Sequence, residues 1–284
     1  MTTALSDAAR RHVAIAQRVA DAHRGIDDES LLAFVSGSTV DDLVDELSDV
    51  DMSVVFAVMP PGAVLHEACR RVGGPWAWTM GDFAQGGAVV SFPVDGVEVQ
   101  IGYATHANLA ADVDDLLIAH NPDTPNHKLA EGIAKALPLA GATQLSALQA
   151  RLDDFPHGLR CAMVRHALSA PTPWRAARQL VRRDAALWCR EIQVEACYRL
   201  LLALCGLNRR WFTRFQVKRM HRLASRFEFA PPRLADRIEV LLAAPAREAF
   251  EALHALEGDV LELVARHLPD VDLEAALKRH AAWP

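Results

Sequence analysis

The segment from Phe34 to Phe56, FVSGSTVDDLVDELSDVDMSVVF, restricts the possible folds of this chain more strongly than any other segment. It starts as an apolar run, breaks at Ser36-Gly37-Ser38, and after an acidic stretch continues as an alternating run from Asp49. Side chains of a strand alternate between its two faces, so Asp49 and Asp51 leave the same face and Val50 leaves the other. The pattern therefore predicts a strand with one buried face and two neighbouring carboxylates on the opposite face.

Two adjacent carboxylates indicate a cation-binding site. Like charges at this spacing repel each other unless a cation lies between them, and Mg²⁺ is commonly held by one or two carboxylates together with substrate phosphates. The turn at Gly37-Ser38 precedes a predicted short helix over Val40–Leu47, and backbone N–H groups at such a turn can bind a phosphate. A metal site close to a phosphate site suggests phosphoryl or nucleotidyl transfer.

The same residues carry a resemblance to a known family. Gly37-Ser38, ten further residues and then Asp49-Val50-Asp51 resemble the signature of the nucleotidyltransferase superfamily, whose fold is like that of polymerase beta. The residues around this signature look most like those of the small-molecule, antibiotic-modifying branch, which has a helical C-terminal domain. Many members carry a basic residue and a glycine shortly after the Gly-Ser pair, whereas this chain has acidic residues at Asp41 and Asp42.

The resemblance implies roles for individual residues. Asp49 and Asp51 would hold Mg²⁺, while Gly37 and Ser38 would contact the phosphates of a nucleoside triphosphate. The family's third carboxylate corresponds to Glu98 in GVEVQIGY, where it could be a third metal ligand, the general base, or both. In the basic, aromatic segment after Leu207, the resemblance implies that Lys218, assisted by Arg209 or Arg210, neutralises the triphosphate. The alternative for this segment is a solvated basic helix face.

The periodicity of the chain predicts an α+β protein with two domains. Strand and hairpin patterns, including an Asp95-Gly96 turn, are confined to the first part, and helical periods separated by prolines follow. We therefore expect a small mixed-sheet nucleotidyltransferase domain over residues 1–122 and an all-helical domain over residues 123–284.

Composition narrows the function classes. The 284 residues include 36 acidic and 30 basic side chains, and the resulting net charge of −6 argues against nonspecific nucleic-acid binding. No apolar run approaches the length of a membrane span, so no membrane partner is expected. Five cysteines without a CxxC pair predict reduced thiols and a cytoplasmic location. Twelve histidines without an HxxxH or HExxH pair predict no zinc site.

These observations lead to one principal hypothesis and two alternatives. The chain is interpreted as an adenylyltransferase that uses Mg²⁺ and ATP, and transfers AMP to a hydroxyl of an aminoglycoside- or lincosamide-type natural product. One alternative is an enzyme that nucleotidylates protein or RNA, including the toxin–antitoxin type. The other is a catalytically silent nucleotide-binding protein.

Overall fold

A computed structural model of the chain describes residues 5–170 and 174–282. The chain divides into two compact units. The first comprises the residues up to Asp115 together with Leu129–Asp154, and the second comprises Leu116–Lys128 together with the residues from Phe155 onward. All strands of the described residues lie in the first unit, and the α+β class predicted from the sequence is confirmed.

The strands are β1 (Leu32–Val35), β2 (Val50–Phe56), β3 (Trp78–Asp82), β4 (Gly87–Val94), β5 (Val97–Thr105) and β6 (Leu137–Ala140). The helices up to residue 153 are α1 (Asp7–Arg24), α2 (Gly62–Arg70), α3 (His106–Leu117), α4 (Asn126–Lys135) and α5 (Ala142–Asp153), with a 3₁₀ turn at Phe83–Gln85. The helices that follow are α6 (His157–Leu168), α7 (Trp174–Gln179), α8 (Ala186–Leu207), α9 (Met220–Ser225), α10 (Leu234–Ala243), α11 (Ala246–His267) and α12 (Glu274–Ala281), with a 3₁₀ helix at Arg214–Arg219.

The six strands form one mixed sheet in the order β3-β4-β5-β2-β1-β6. Strands β2 and β5 are parallel at its centre, and every other neighbouring pair is antiparallel. The central strands follow the alternation that the sequence predicts, because Val50, Met52 and Val54 are buried on one face together with Val99 and Ile101. Residues of α1 and α2 belong to the same apolar core, so both helices cover this face of the sheet.

The hairpin between β4 and β5 confirms the turn predicted at Asp95-Gly96. Both residues have positive φ angles, 51° and 79°, as a type I′ turn requires. Val94 pairs with Val97 directly beside the turn, which sets the register of the whole hairpin.

The connection between β1 and β2 is not helical, so the helix predicted over Val40–Leu47 is wrong. This segment forms turns, and Asp42 has a left-handed φ of 54° that a helix does not accommodate. The carboxylate of Asp42 accepts a hydrogen bond from the backbone N–H of Ser6 at 2.9 Å. Contact with the start of α1 therefore replaces the local helix that the apolar spacing predicts.

Strand β6 is a second departure from the sequence-based interpretation, which expects only helices after residue 123. It pairs antiparallel with β1, and Ala33 lies opposite Ala140. The segment is only four residues long and contains Pro138, and it completes the sheet edge by pairing with a strand far away in sequence. Residues 129–154 consequently group with the first unit, whereas the predicted boundary lies at 122/123.

In the second unit, the helical pattern between residues 174 and 207 is divided between two helices. Helix α7 ends at Gln179 and α8 begins at Ala186. The later half of α8, from Leu200 to Leu207, is buried on all sides. Among the described residues, no helix combines the length and the apolar composition that crossing a bilayer requires.

Candidate active site

Gly37 lies in the turn that follows β1, and it lies against the carboxylate of Asp51. Its φ is +68°, and a Cβ atom added to it would lie 3.0 Å from Asp51 Cγ and closer still to one carboxylate oxygen. Only glycine combines this backbone conformation with this close approach. The backbone N–H of Ser36 also donates to the carbonyl oxygen of Asp51 at 2.9 Å, which holds the turn next to β2.

The parallel pairing of β2 with β5 brings the predicted carboxylates to one face of the sheet. Asp51 lies opposite Gln100, and opposite residues in a sheet point to the same side. Asp49 and Glu98 each precede these residues by two positions, so all four side chains share the face opposite the core. The structure thus places Asp49, Asp51 and Glu98 on one face of the sheet, and Asp51 contacts Gly37. Their roles toward a metal ion and a substrate stay predictions.

Gln100 connects two of these carboxylates. Its Nε2 donates to Asp49 Oδ2 at 2.7 Å and lies 3.3 Å from Glu98 Oε1. The Oγ of buried Ser91 donates to the same Glu98 oxygen at 2.5 Å. The sequence analysis did not single out Gln100 or Ser91, although the strand alternation places Gln100 on the face of Glu98. Their donors offset the repulsion between neighbouring carboxylates and orient them.

Ser38 contributes a buried oxygen with an unused hydrogen-bonding capacity. Its Oγ is shielded from solvent and has no hydrogen-bond partner. An unsatisfied buried hydroxyl is costly, on the order of 1–3 kcal/mol, and its presence calls for an explanation. A phosphate oxygen or a metal-bound ligand beside the Gly37 turn would supply the partner.

His12 is a neighbour of the site that sequence reasoning missed. Helix α1 buries its ring, and Nδ1 lies 3.3 Å from Oγ1 of Thr39, the residue after Ser38. Burial lowers the pKa of His12 below its ordinary value of 6.5, the charge of Arg11 lowers it further, and the charge of Asp49 acts in the opposite direction. The imidazole is therefore predominantly neutral at pH 7. The signal in the sequence was the helical spacing of His12 relative to Ala9 and Ala16, both of which are buried.

The two acids that depart from the family pattern both have partners. Lys135 Nζ lies 3.8 Å from Asp41 Oδ2 and also contacts the carboxylate of Glu131. Hydrogen bonding to Ser6 lowers the pKa of Asp42. Lys135 therefore places a positive charge beside Asp41.

The predicted triphosphate ligands Arg209 and Lys218 belong to the second unit. Arg209 follows α8 with a positive φ of 53°, and its side chain is exposed. Lys218 is an exposed residue of the 3₁₀ helix, and its Nζ lies 5.9 Å from the ring centroid of Phe215. Lys128 approaches the same ring at 4.6 Å. These contacts define a cation–aromatic cluster, and the role of Lys218 and Arg209 toward phosphate stays a prediction.

The donor atoms of the site suit a hard divalent cation. Asp49 and Asp51 offer oxygen ligands on one face of the sheet, and oxygen ligands are the ones that Mg²⁺ prefers. Ser38, which follows Gly37 in the turn after β1, carries a further oxygen. The described residues contain two groups of three His, Asp or Glu side chains whose ligand atoms lie within 4.8 Å of one another, and neither includes these carboxylates. A third ligand bond from Glu98 would require its carboxylate to move closer to Asp49 and Asp51.

The fold and these side chains define an α+β protein with paired aspartates and a Gly-Ser turn at the centre of a mixed sheet. No protein-family model matches the chain, and no curated protein matches it. The structure is similar to that of a nucleotidyltransferase-like protein from Exiguobacterium sibiricum 255-15, with 14% identity and a TM-score of 0.44. The match covers 87% of this chain and 77% of that one. At this level of similarity it does not identify a function.

Proposed function

We propose that the protein is a Mg²⁺-dependent nucleotidyltransferase that transfers AMP from ATP to a hydroxyl group of a small molecule and releases pyrophosphate. The observation that carries the proposal is the placement of Asp49, Asp51 and Glu98 on one face of the β2–β5 pair, beside Gly37 and the unpartnered Ser38 hydroxyl. Nucleotidyl transfer requires carboxylates that hold a metal ion and, next to them, a turn whose backbone can bind a phosphate.

Each residue of the site has a defined task in this proposal. Asp49 and Asp51 hold Mg²⁺, which supplies charge neutralisation for the triphosphate when it is bound. The Gly37 turn and the Ser38 hydroxyl bind phosphate oxygens, because the turn brings the backbone close and the hydroxyl lacks another partner. Gln100 holds Asp49 and Glu98 in a fixed relation through its amide.

The bond changes follow from the positions of these groups. The acceptor hydroxyl oxygen forms a bond to the α-phosphorus of ATP, and the bond from that phosphorus to the bridging oxygen of pyrophosphate breaks. Glu98 is proposed to accept the proton of the hydroxyl, because its carboxylate has Oε2 in addition to the Oε1 that contacts Ser91 and Gln100. Lys218 and Arg209 are proposed to neutralise the triphosphate, since both are exposed cations.

The acceptor is proposed to be an aminoglycoside- or lincosamide-type compound. A polycationic acceptor of the aminoglycoside type would be attracted by residues 1–150, in which acidic side chains outnumber basic ones. The proposal places the enzyme in the cytoplasm, where ATP and Mg²⁺ are available.

The test is pyrophosphate release with each nucleoside triphosphate across a panel of aminoglycosides and lincosamides, followed by mass spectrometry of the acceptor. The proposal expects an adduct of one AMP, which D49N abolishes. E46Q is the matched control, because it removes an exposed charge from the same connection and should leave turnover unchanged.

Three other outcomes would contradict the proposal. Labelling of protein or RNA by tagged ATP in a lysate, without any small-molecule adduct, would favour a macromolecular acceptor. Binding of ATP without pyrophosphate release under any condition would indicate a silent nucleotide-binding protein. A lack of ATP binding in the presence of Mg²⁺ would remove the nucleotide assignment itself.

A further inference from the structure

Helices α11 and α12 bring together two histidines and a glutamate that are separate from the site described above. His254 and Glu257 lie three residues apart on α11, and His280 lies on α12. One ligand atom from each residue lies within 4.8 Å of the other two, and all three side chains are half-buried. His280 Nδ1 is 3.1 Å from Glu257 Oε2, and the two imidazole rings stack with centroids 3.9 Å apart.

The packing around His280 preserves space for this arrangement. A Cβ atom at Gly258 would lie 3.1 Å from His280 Nε2, so the glycine allows the ring to approach α11 closely. Residue 258 directly follows Glu257, which means that the ring of His280 lies over the backbone of the same turn that supplies the carboxylate. A side chain at residue 258 would therefore press against the ring of His280.

The ligand types discriminate among cations. Two imidazole nitrogens and one carboxylate oxygen form a ligand set that Zn²⁺ prefers, whereas Mg²⁺ prefers oxygen ligands only. Burial lowers the pKa of His254 below its ordinary value of 6.5, and the neighbouring His280 adds to this effect. A neutral imidazole is the form that binds a metal ion.

We propose that His254, Glu257 and His280 form a Zn²⁺-binding site that links α12 to α11. Binding requires the two rings to rotate out of their stack so that both nitrogen lone pairs point to one ion. Rotation of histidine about χ2 is soft, because this torsion has broad minima. With three protein ligands, the fourth position of a tetrahedral Zn²⁺ is filled by water.

The local sequence could not predict this site, because its ligands come from two helices. His254 and Glu257 form no recognised short motif, and His280 is brought to them only by the return of the chain after Val271. The second cluster of potential ligands, His221 with Asp236 and Glu239, is more exposed, and His221 Nε2 lies 2.9 Å from Glu239 Oε1. It provides an internal comparison for the test.

The test uses the full-length chain with the D49N and D51N substitutions, so that the carboxylates of the first unit do not contribute. After treatment with a chelator, Zn²⁺ is titrated by calorimetry in the presence of excess Mg²⁺. The proposal expects one equivalent of Zn²⁺ to bind. Removal of one ligand in H254Q, E257Q or H280Q should weaken binding at least about tenfold, because even loss of an outer-shell partner has an effect of 10–100-fold.

Two control variants locate the site. H157Q removes an exposed histidine outside the cluster and should leave Zn²⁺ affinity unchanged. H221Q should also leave the affinity for the one bound Zn²⁺ unchanged. Loss of Zn²⁺ binding in H221Q, with no effect of H254Q, E257Q or H280Q, would overturn the proposal. A lack of Zn²⁺ binding by the parent chain, which carries only the D49N and D51N substitutions, would overturn it as well.

A second measurement does not depend on the variants being folded. In the parent chain, bound Zn²⁺ should protect His254 and His280 from carbethoxylation by diethyl pyrocarbonate, whereas His157 should react equally with and without Zn²⁺. Equal modification of His254 and His280 under both conditions would also overturn the proposal.

Discussion

Replacing Gly37 with alanine tests the geometry on which the candidate active site depends. The substitution has two effects in this structure. First, alanine must adopt a φ of +68°, and the left-handed region is less favourable by about 1–2 kcal/mol for a residue with a Cβ atom. Second, the new Cβ lies 3.0 Å from Asp51 Cγ and overlaps its carboxylate, so that Asp51 must move or the turn must open.

The expected magnitudes differ for stability and for the site. The backbone effect should lower the free energy of unfolding by about 1–2 kcal/mol. A displacement of the carboxylate by about 1 Å should reduce nucleotidyl transfer by about 10²-fold, because the reaction depends on alignment. The affinity for Mn²⁺, measured by electron paramagnetic resonance as a substitute for Mg²⁺, should fall in parallel.

Gly96→Ala is the matched control for this prediction. Gly96 has a φ of +79°, but nothing lies within 4 Å of the position of its added Cβ. The two variants should therefore lose similar stability in urea unfolding, while only G37A should lose Mn²⁺ affinity and transfer. Equal Mn²⁺ affinities in G37A and G96A would refute the inference that the Gly37 turn and Asp51 form one site.

Four further predictions concern single side chains. D51N should abolish transfer without destabilising the fold, since it relieves repulsion between carboxylates, and near-normal turnover would contradict the metal assignment. E98Q should lower kcat by about 10²–10⁴-fold if Glu98 is the base, whereas partial recovery at high Mg²⁺ would indicate a ligand instead. K218A should raise KM for ATP more than it lowers kcat, and an unchanged KM would assign Lys218 to a solvated helix face. Burial lowers the pKa of His23 below its ordinary value of 6.5, so the unfolded state binds a proton at a higher pH than the folded state does. The free energy of unfolding should therefore fall as the pH decreases below 6.5. H23N should make this decrease smaller in urea titrations at several pH values.

The sequence by itself determined the features whose causes are local. The type I′ turn at Asp95-Gly96 needs two residues that tolerate positive φ, and these are adjacent in the chain. The face on which Asp49 and Asp51 lie follows from strand alternation alone, because the apolar residues between and after them must be buried. The confirmed α+β class has the same origin, since each part of the chain carries the period of its own structure.

Only the tertiary structure decided the features that depend on distant partners. Strand β6 forms because β1 has an unpaired edge, and nothing within Leu137–Ala140 indicates that pairing. The segment after Ser38 has the apolar spacing of a helix, but Asp42 forms a hydrogen bond with Ser6 instead. Gln100 becomes the link between Asp49 and Glu98 only when β2 and β5 pair in parallel. At these points, hydrogen bonds between residues far apart in sequence outweigh the secondary structure that the local sequence favours. The periodicity of a segment predicts only that local secondary structure.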